Sequence, residues 1–416
     1  MNTARIANDE QLHWPSEGVT RVPYQVFADP TIYAREQEKI FRGAVWNYVA
    51  LDAELPNSGD FKTTFIGDTP VVVSRDDNGE LHAFVNRCAH RGALVCRETR
   101  GNRASHVCVY HQWSYDLCGN LIGVPFRRGI EGKGGYAANF TPATISLRKL
   151  TVATYNGLVF ASFASEVEPI ETYLGPSQRP WLDRVFNRPI RVLGYARQYI
   201  QANWKLYAEN TRDAYHASLL HLFHTTFGIY RSSQGGGLFM DDTRRHCMGR
   251  AYKRTEAAEL AVYQDTNLRT YQKGYTLADP SLLQSHKEFE VELTNSIHSI
   301  FPCLVVQQIL NTLATRHILP KGPDAFELLF TFFGYADDDE EMLKRRMKQA
   351  NLVGPAGYIS MEDGYAAEIE QQAITHDQDA CSFLELGGTD SEDTENLVSE
   401  AAMRGFWQYY RSIMGF

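Results

Sequence analysis

The stretch Asn203-Trp-Lys-Leu-Tyr-Ala-Glu-Asn-Thr-Arg-Asp213-Ala-Tyr-His216-Ala-Ser-Leu-Leu-His221 places one acid and two imidazoles within nine residues of an otherwise apolar segment. Buried charge or imidazole needs a partner, and a metal ion is the natural one. Two neutral imidazoles with a carboxylate supplied from elsewhere in the chain make the facial set that holds non-haem Fe(II) and leaves positions open for oxygen. Trp204, Tyr207, Ala208, Tyr215, Leu219 and Leu220 roughly follow a helical period, with Asn203 as N-cap. Asp213 and His216, three apart, share a face. His216 and His221 stand about 140° apart round an ideal helix, so both reach one ion only where the helix ends or bulges between them.

A second donor set lies upstream, where seventeen residues separate Cys88-Ala-His90 from Cys108-Val-Tyr-His111. Each pair offers one thiolate and one imidazole, which suits either a structural zinc or a [2Fe–2S] cluster whose second iron is held by histidines. Zinc fingers usually pair like with like along the chain, whereas mixed pairs let each loop give one ligand to each iron. Around the loops, β-rich runs at 61–66, 71–74 and 158–162, separated by Gly, Asp and Asn, predict a small antiparallel β domain.

The 416 residues are 44% hydrophobic and carry a formal net charge of −9, which fits two or three packed domains and argues against a nucleic-acid binder. With no long apolar run and no apolar h-region near the start, neither a membrane span nor a signal peptide is expected, and the chain is placed in the cytoplasm. Seven cysteines without a disulfide framework suit that reducing compartment. No Gly-x-Gly-x-x-Gly follows a predicted strand and there is no phosphate loop, so reducing equivalents must arrive from another protein.

Upstream, Asp29-Pro30 opens a helix that ends an irregular N-terminal arm. Downstream, residues 234–290 show little strand signal and are read as cover for a pocket. Runs at 303–306, 313–319 and 326–333 read as successive antiparallel strands, and 337–348, acids first and bases last, as a solvated surface helix. A helix over 359–372 follows, and one over 396–414 puts Met403, Phe406, Trp407, Tyr410 and Ile413 on one core-facing stripe.

Cys88-Ala-His90-Arg-Gly and Cys108-Val-Tyr-His111-Gln-Trp113 resemble the cluster loops of a Rieske domain. Cys96 and Cys118 do not fall where respiratory Rieske proteins place their disulfide cysteines and are read as buried thiols, so the resemblance is to Rieske oxygenases. Asn-Trp-Lys, Glu-Asn and Asp213-x2-His216-x4-His221 are together similar to the mononuclear-iron motif of ring-hydroxylating oxygenases. The resemblance implies an α+β chain: an arm and helix over 1–42, an antiparallel-β Rieske domain over 43–163, and a catalytic domain over 164–416 with a helix-covered antiparallel sheet of the helix-grip type. It implies one [2Fe–2S] cluster on Cys88, His90, Cys108 and His111, and one mononuclear Fe(II) on His216, His221 and Asp363. Glu362 is the rival of Asp363, and His224 is a decoy that packs on the helix end. Asp213 becomes the acid linking this iron to the Rieske histidine of a neighbouring subunit.

The same resemblance implies a terminal oxygenase component that uses O2 and electrons passed from NADH through a reductase and a ferredoxin. The assembly expected is α3, or α3β3 with a small β subunit. The Arg21-Val-Pro start, the Gly354-Pro-Ala-Gly357 loop and the Arg404-Gly-Phe-Trp407 tail are similar to enzymes of substituted benzoates of the anthranilate, salicylate, 2-halobenzoate or terephthalate type. A carboxylate in an apolar pocket needs a cation, best a bidentate guanidinium, and Arg316 on a predicted strand is the candidate. An arginine facing solvent or a subunit contact is the competing reading. Ile309, after Gln307-Gln308, stands where related salicylate 5-hydroxylases put a polar Gln, which disfavours salicylate. Monohydroxylation in place of dihydroxylation, a pure Rieske electron carrier and a structural zinc protein are the alternatives.

Overall fold

The runs Asn47-Tyr-Val-Ala-Leu51 and Leu158-Val-Phe-Ala-Ser162, buried along their whole length, pair antiparallel with Leu51 opposite Leu158. They begin the first sheet of the computed structural model, which describes residues 12–265 and 268–416. In spatial order this seven-stranded sheet runs β1 (Asn47–Leu51), β10 (Leu158–Ser162), β9 (Lys149–Tyr155), β4 (Leu81–Val85), β3 (Thr69–Arg75), β2 (Asp60–Ile66) and β5 (Arg100–Asn102). A small sheet of β6 (His106–Val107), β7 (Ser114–Tyr115) and β8 (Leu121–Gly123) carries the second Cys–His loop.

The second half builds another seven-stranded antiparallel sheet from β11 (Ile190–Ile200), β12 (Gly235–Met240), β13 (Cys247–Tyr252), β14 (Asn295–Ile300), β15 (Leu304–Ile309), β16 (Thr312–Gly322) and β17 (Ala325–Tyr335). Strands β12 to β17 meander between neighbours, and β11 closes on β17 with Ile190 opposite Tyr335. Tyr48 of the first sheet reaches Thr315 of the second through hydroxyls 3.2 Å apart, so one continuous core joins the two halves. This is the α+β architecture that the sequence leads one to expect.

Two readings change. Residues 234–290 contribute strands β12 and β13 to the sheet, and glycines hid them. A Cβ on Gly236 would lie 2.0 Å from the Arg250 carbonyl oxygen and one on Gly237 would lie 2.0 Å from the Thr394 carbonyl oxygen, so close backbone approach excludes the β-branched residues that announce a strand. The charged run after Asp337 forms a helix over Glu340–Val353 that is solvated on one side only. Arg346 is buried in it, bonded to Asp338 at 2.7 Å and to Glu288, with Ala350, Leu352 and Val353 packed beside it.

The arm explains why Trp204 and Lys205 stand in the motif. Helix α1 (Pro30–Glu36), capped by Asp29 at Thr31 N, delivers Glu36 into the core. Its carboxylate accepts from Lys205 Nζ at 2.7 Å, Trp204 Nε1 at 2.8 Å and Tyr410 Oη at 2.5 Å, with both members of the ion pair fully buried. Removing one partner strands the other charge without water. Lys205→Met is therefore expected to destabilise the chain by about 3–5 kcal/mol in urea unfolding, and Glu36→Gln combined with it to recover most of that loss.

Candidate metal centres

The two Cys–His loops share one construction. Cys88 N donates to Ala93 O at 2.8 Å and Gly92 N to Cys88 O at 2.9 Å, and Cys108 N to Trp113 O at 2.9 Å and Gln112 N to Cys108 O at 2.8 Å repeat the pattern. The fifth residue of each loop is left-handed, Gly92 at φ 78° and Gln112 at φ 56°. Both thiols are buried, while the rings of His90 and His111 lie half-buried at the tip, 4.6 Å apart and inclined by 74°. Trp113 stacks on His90 at 4.7 Å, and Tyr115 Oη sits 3.2 Å from Cys88 Sγ. His90 Nδ1 is buried without a hydrogen-bond partner among the described residues. Sulfurs inside, imidazoles outside and an orphaned ring nitrogen fit a cluster whose outer iron is held by histidine.

The segment from Asn203 onward forms helix α2 (Trp204–Asn210), then α3 (Ala217–Leu220) and α4 (Leu222–Phe227). Asn203 caps the first, its Oδ1 accepting from Lys205 N at 3.1 Å. The chain breaks at His221, whose φ of −89° and ψ of 92° are extended, and this is the irregularity needed for both imidazoles to face one point. His216 Nε2 and His221 Nε2 lie 3.3 Å and 3.2 Å from the same oxygen, Asp363 Oδ1, and the three donors are within 4.8 Å of one another.

Asp363 rides on helix α5 (Tyr358–Ile374), and the residue before it plays a different part, since Glu362 Oε2 is 2.6 Å from His221 Nδ1, behind the ring. Asp213 stands on the same side of His216 without closing the bond, since its Oδ2 is 3.6 Å from Nδ1, which has no hydrogen-bond partner among the described residues, while its Oδ1 accepts from His216 N at 3.1 Å. His224 lines the same cleft with its ring packed on His221 at 5.3 Å, outside the three-donor group.

Burial opposes charging His216, yet the carboxylates of Asp213 and Asp363 overcome it and raise its pKa to about 10. His221 is raised likewise, against burial, by Asp363 and Glu362, and the two imidazoles hold Asp363 well below the usual carboxylate range in spite of its own burial. His224 is the reverse, pushed well down by burial and by His221. The site is thus built to hold positive charge, and two imidazoles with one carboxylate fit a divalent iron.

Beside these donors opens a cleft with Ala214, Leu238, Ile297, Ile309, Ile359 and Leu397 as apolar walls and Arg316 as the buried cation. Arg316 Nε donates to Gln307 Oε1 at 2.7 Å, Nη1 donates to Tyr207 Oη at 2.8 Å, and Nη2 also meets Gln307, so two of the five guanidinium N–H donors have no partner among the described residues. Sequence reasoning misses Asn210, whose Nδ2 donates to Asp363 Oδ1 at 3.1 Å, and it misses Tyr207 and Gln307. Asn210 belongs to the Glu-Asn pair of the motif, but a carboxamide at a helix end reads as a cap until the fold brings Asp363 to it. Cys118 is half-exposed, which corrects its reading as a buried thiol.

The Rieske [2Fe–2S] domain family matches residues 45–141, and the family of the ring hydroxylating alpha subunit (catalytic domain) matches residues 181–415. The chain belongs to the ring-hydroxylating oxygenase alpha subunits. This oxygenase subunit is 53% identical over 405 residues to the anthranilate 1,2-dioxygenase large subunit of Burkholderia cepacia, covering 97% of this chain and 96% of that one. It is 46% identical to the terephthalate 1,2-dioxygenase terminal oxygenase component subunit alpha 2 of Comamonas sp (97% and 98% covered) and 41% identical to the salicylate 5-hydroxylase large oxygenase component of Ralstonia sp (97% and 96% covered). Its fold matches the crystal structure of naphthalene 1,2-dioxygenase from Rhodococcus sp. with a TM-score of 0.77 at 23% identity, over 95% of this chain and 94% of that one. Membership brings a Rieske cluster and a mononuclear iron as the cofactors of this oxidoreductase. No helix among the described residues is long and apolar enough to cross a membrane.

Proposed function

We propose that this alpha subunit is the terminal oxygenase that hydroxylates or cis-dihydroxylates a substituted benzoate, with electrons from NADH delivered through a reductase and a ferredoxin. The observation that carries the reading is one cleft lined both by a buried arginine, two of whose donors have no partner among the described residues, and by a His–His–Asp donor set. The anthranilate and terephthalate relatives share the carboxylate that such an arginine would hold. Ile309 makes the adjoining wall apolar, which suits an arene face better than the hydroxyl of salicylate.

In this reading residues 43–163 form the Rieske domain and 164–416 the catalytic domain; of the arm over 1–42, residues 12–42 pack on the latter and residues 1–11 lie outside the described residues. Cys88, His90, Cys108 and His111 hold the cluster, and His216, His221 and Asp363 hold the mononuclear iron. When bound, the cluster supplies single electrons and the lone iron activates O2. Arg316, steadied by Gln307 and Tyr207, fixes the carboxylate and so the position of the ring carbons against the donor wall. Asp213 and Glu362 each stand on the Nδ1 side of one imidazole, which leaves both Nε2 atoms turned toward Asp363. The apolar walls keep water from the reacting carbons.

Asp213 keeps 17% of its side chain exposed, and Tyr358, Met361 and Tyr365 expose 67%, 49% and 64% of their surface along α5, the helix that carries Asp363. The cluster loops expose Leu94, Val109 and Tyr110. Two apolar patches of this kind, each next to a redox centre, support an α3 ring in which one protomer's loops meet the next protomer's α5, with or without a β subunit.

Reconstitution with reductase, ferredoxin, NADH and a panel of benzoates tests this. A cis-diol or phenol formed from a carboxylated arene is the expected result, and oxidation of neutral arenes alone would overturn it. Arg316→Met is expected to lower kcat/KM for the carboxylate by roughly ten- to a hundredfold, the worth of a charged hydrogen-bonded pair, while sparing turnover of the matching carboxamide.

A further inference from the structure

Away from both iron centres, the turn after β3, strand β4 and the loop between β7 and β8 bring together Asp76, His82 and Cys118. His82 Nε2 lies 3.0 Å from Asp76 Oδ2 and 3.4 Å from Cys118 Sγ, and Cys118 Sγ lies 3.8 Å from Asp76 Oδ2. On a tetrahedral zinc, with nitrogen and oxygen at about 2.0 Å and sulfur at about 2.3 Å, donors stand roughly 3.3 Å apart for N and O and roughly 3.5 Å for sulfur and either. The three observed separations bracket those edges.

We propose that Asp76, His82 and Cys118 form a third metal site that takes one Zn2+-class cation, with solvent as the fourth ligand. Two of the donors are held in place before any ion arrives. Asp76 Oδ1 accepts from Asn78 N and Glu80 N, each at 2.9 Å, which leaves Oδ2 to face the ring. Asp116 Oδ1 accepts from Cys118 N at 2.9 Å and Asn120 N at 2.8 Å and so fixes the thiol's turn. His82 keeps 27% of its side chain in contact with solvent, giving water a way to the open position. Mixed thiolate, imidazole and carboxylate donors select zinc over magnesium or calcium, which take all-oxygen shells. His82 and the two amides hold the Asp76 carboxyl down to about 2, whereas burial, Asp116 and Asp76 raise the Cys118 thiol against Lys149, so the ion displaces one proton. A bound cation cross-links the turn after β3 to the loop after β7. Tyr115 of β7 touches Cys88 Sγ, so the cross-link stiffens a strand that rests on the first cluster loop.

The test uses the full iron-loaded oxygenase equilibrated with roughly micromolar zinc and dialysed, with metals counted by mass spectrometry and Rieske unfolding followed by loss of visible absorbance. The wild type is expected to keep about one zinc per chain without losing iron and to unfold at a higher temperature than the chelator-treated protein. Cys118→Ser and His82→Gln keep their iron and cluster spectrum but bind no zinc and show no shift. A wild type that retains no zinc, variants that retain as much as the wild type, or zinc gained only as iron is lost would each overturn the site, leaving Asp76, His82 and Cys118 as a hydrogen-bonded trio.

Discussion

Asp363→Ala is expected to drop the iron content from about three to about two atoms per chain, to leave the cluster's visible spectrum unchanged and to abolish oxygenation. Asp363 Oδ1 is the atom that both Nε2 groups face, at 3.3 Å and 3.2 Å, and Asn210 Nδ2 adds a 3.1 Å bond that keeps the carboxylate from rotating away. Alanine leaves two neighbouring imidazoles with no anion between them, and two neutral nitrogens alone hold a divalent cation weakly. The cluster loops follow β4 of the first sheet and connect β6 to β7 of the small sheet, and their cysteines and histidines are not among the donors of this site, so their spectrum is the internal control. Glu362 decides the alternative. It stands 2.6 Å behind His221 on the Nδ1 side, so Glu362→Gln is expected to weaken iron retention by roughly ten- to a hundredfold, short of the complete loss. Were Glu362 the ligand and Asp363 the support, the two variants would exchange behaviour in the metal count.

Much of this site was legible because its information is local. Cys-x-His and Cys-x-x-His set two thiols and two imidazoles at matched spacing, and the fold adds the matched turns at Gly92 and Gln112 that bring His90 and His111 within 4.6 Å. The five-residue gap from His216 to His221 likewise forecasts a break in the helix, and the break falls on His221 itself. What stayed hidden are the pairings made across the chain. Glu36 and Lys205 are 169 positions apart, Asn210 and Asp363 are 153 apart, and neither pair leaves a periodic trace. Composition also misled where tertiary contact inverted its usual meaning. Gly236 and Gly237 look like a loop, yet the carbonyl oxygens of Arg250 and Thr394 press so close that only glycine can continue the strand. Arg346 looks like one charge in a solvated run until Glu288 and Asp338 close on it from two sides. Cys118 looks like a spare thiol until His82 and Asp76 are seen beside it.

Asp213→Asn is expected to separate metal binding from catalysis: iron stays near three per chain, the cluster spectrum is retained, and product formation falls by a hundredfold or more, at the upper end of roughly what a partner behind a ligand contributes. Asp213 meets His216 on the Nδ1 side, at 3.6 Å, and accepts its backbone N–H at 3.1 Å, while Nε2 is turned toward Asp363. Asparagine keeps the shape and can still accept from the backbone, so the iron ligands hold their places. It removes the charge that, against burial, helps raise His216 to about 10, and it can present an amide N–H where the ring needs an acceptor. Asp213 keeps 17% of its side chain exposed, which suits the proposed second imidazole from another protomer's cluster loop. Single-turnover assays with a pre-reduced cluster isolate the step. If the variant forms product at the wild-type rate there, Asp213 only shapes the site. If the reduced cluster persists beside a bound, unreacted substrate, the lost carboxylate was the connection between the two irons.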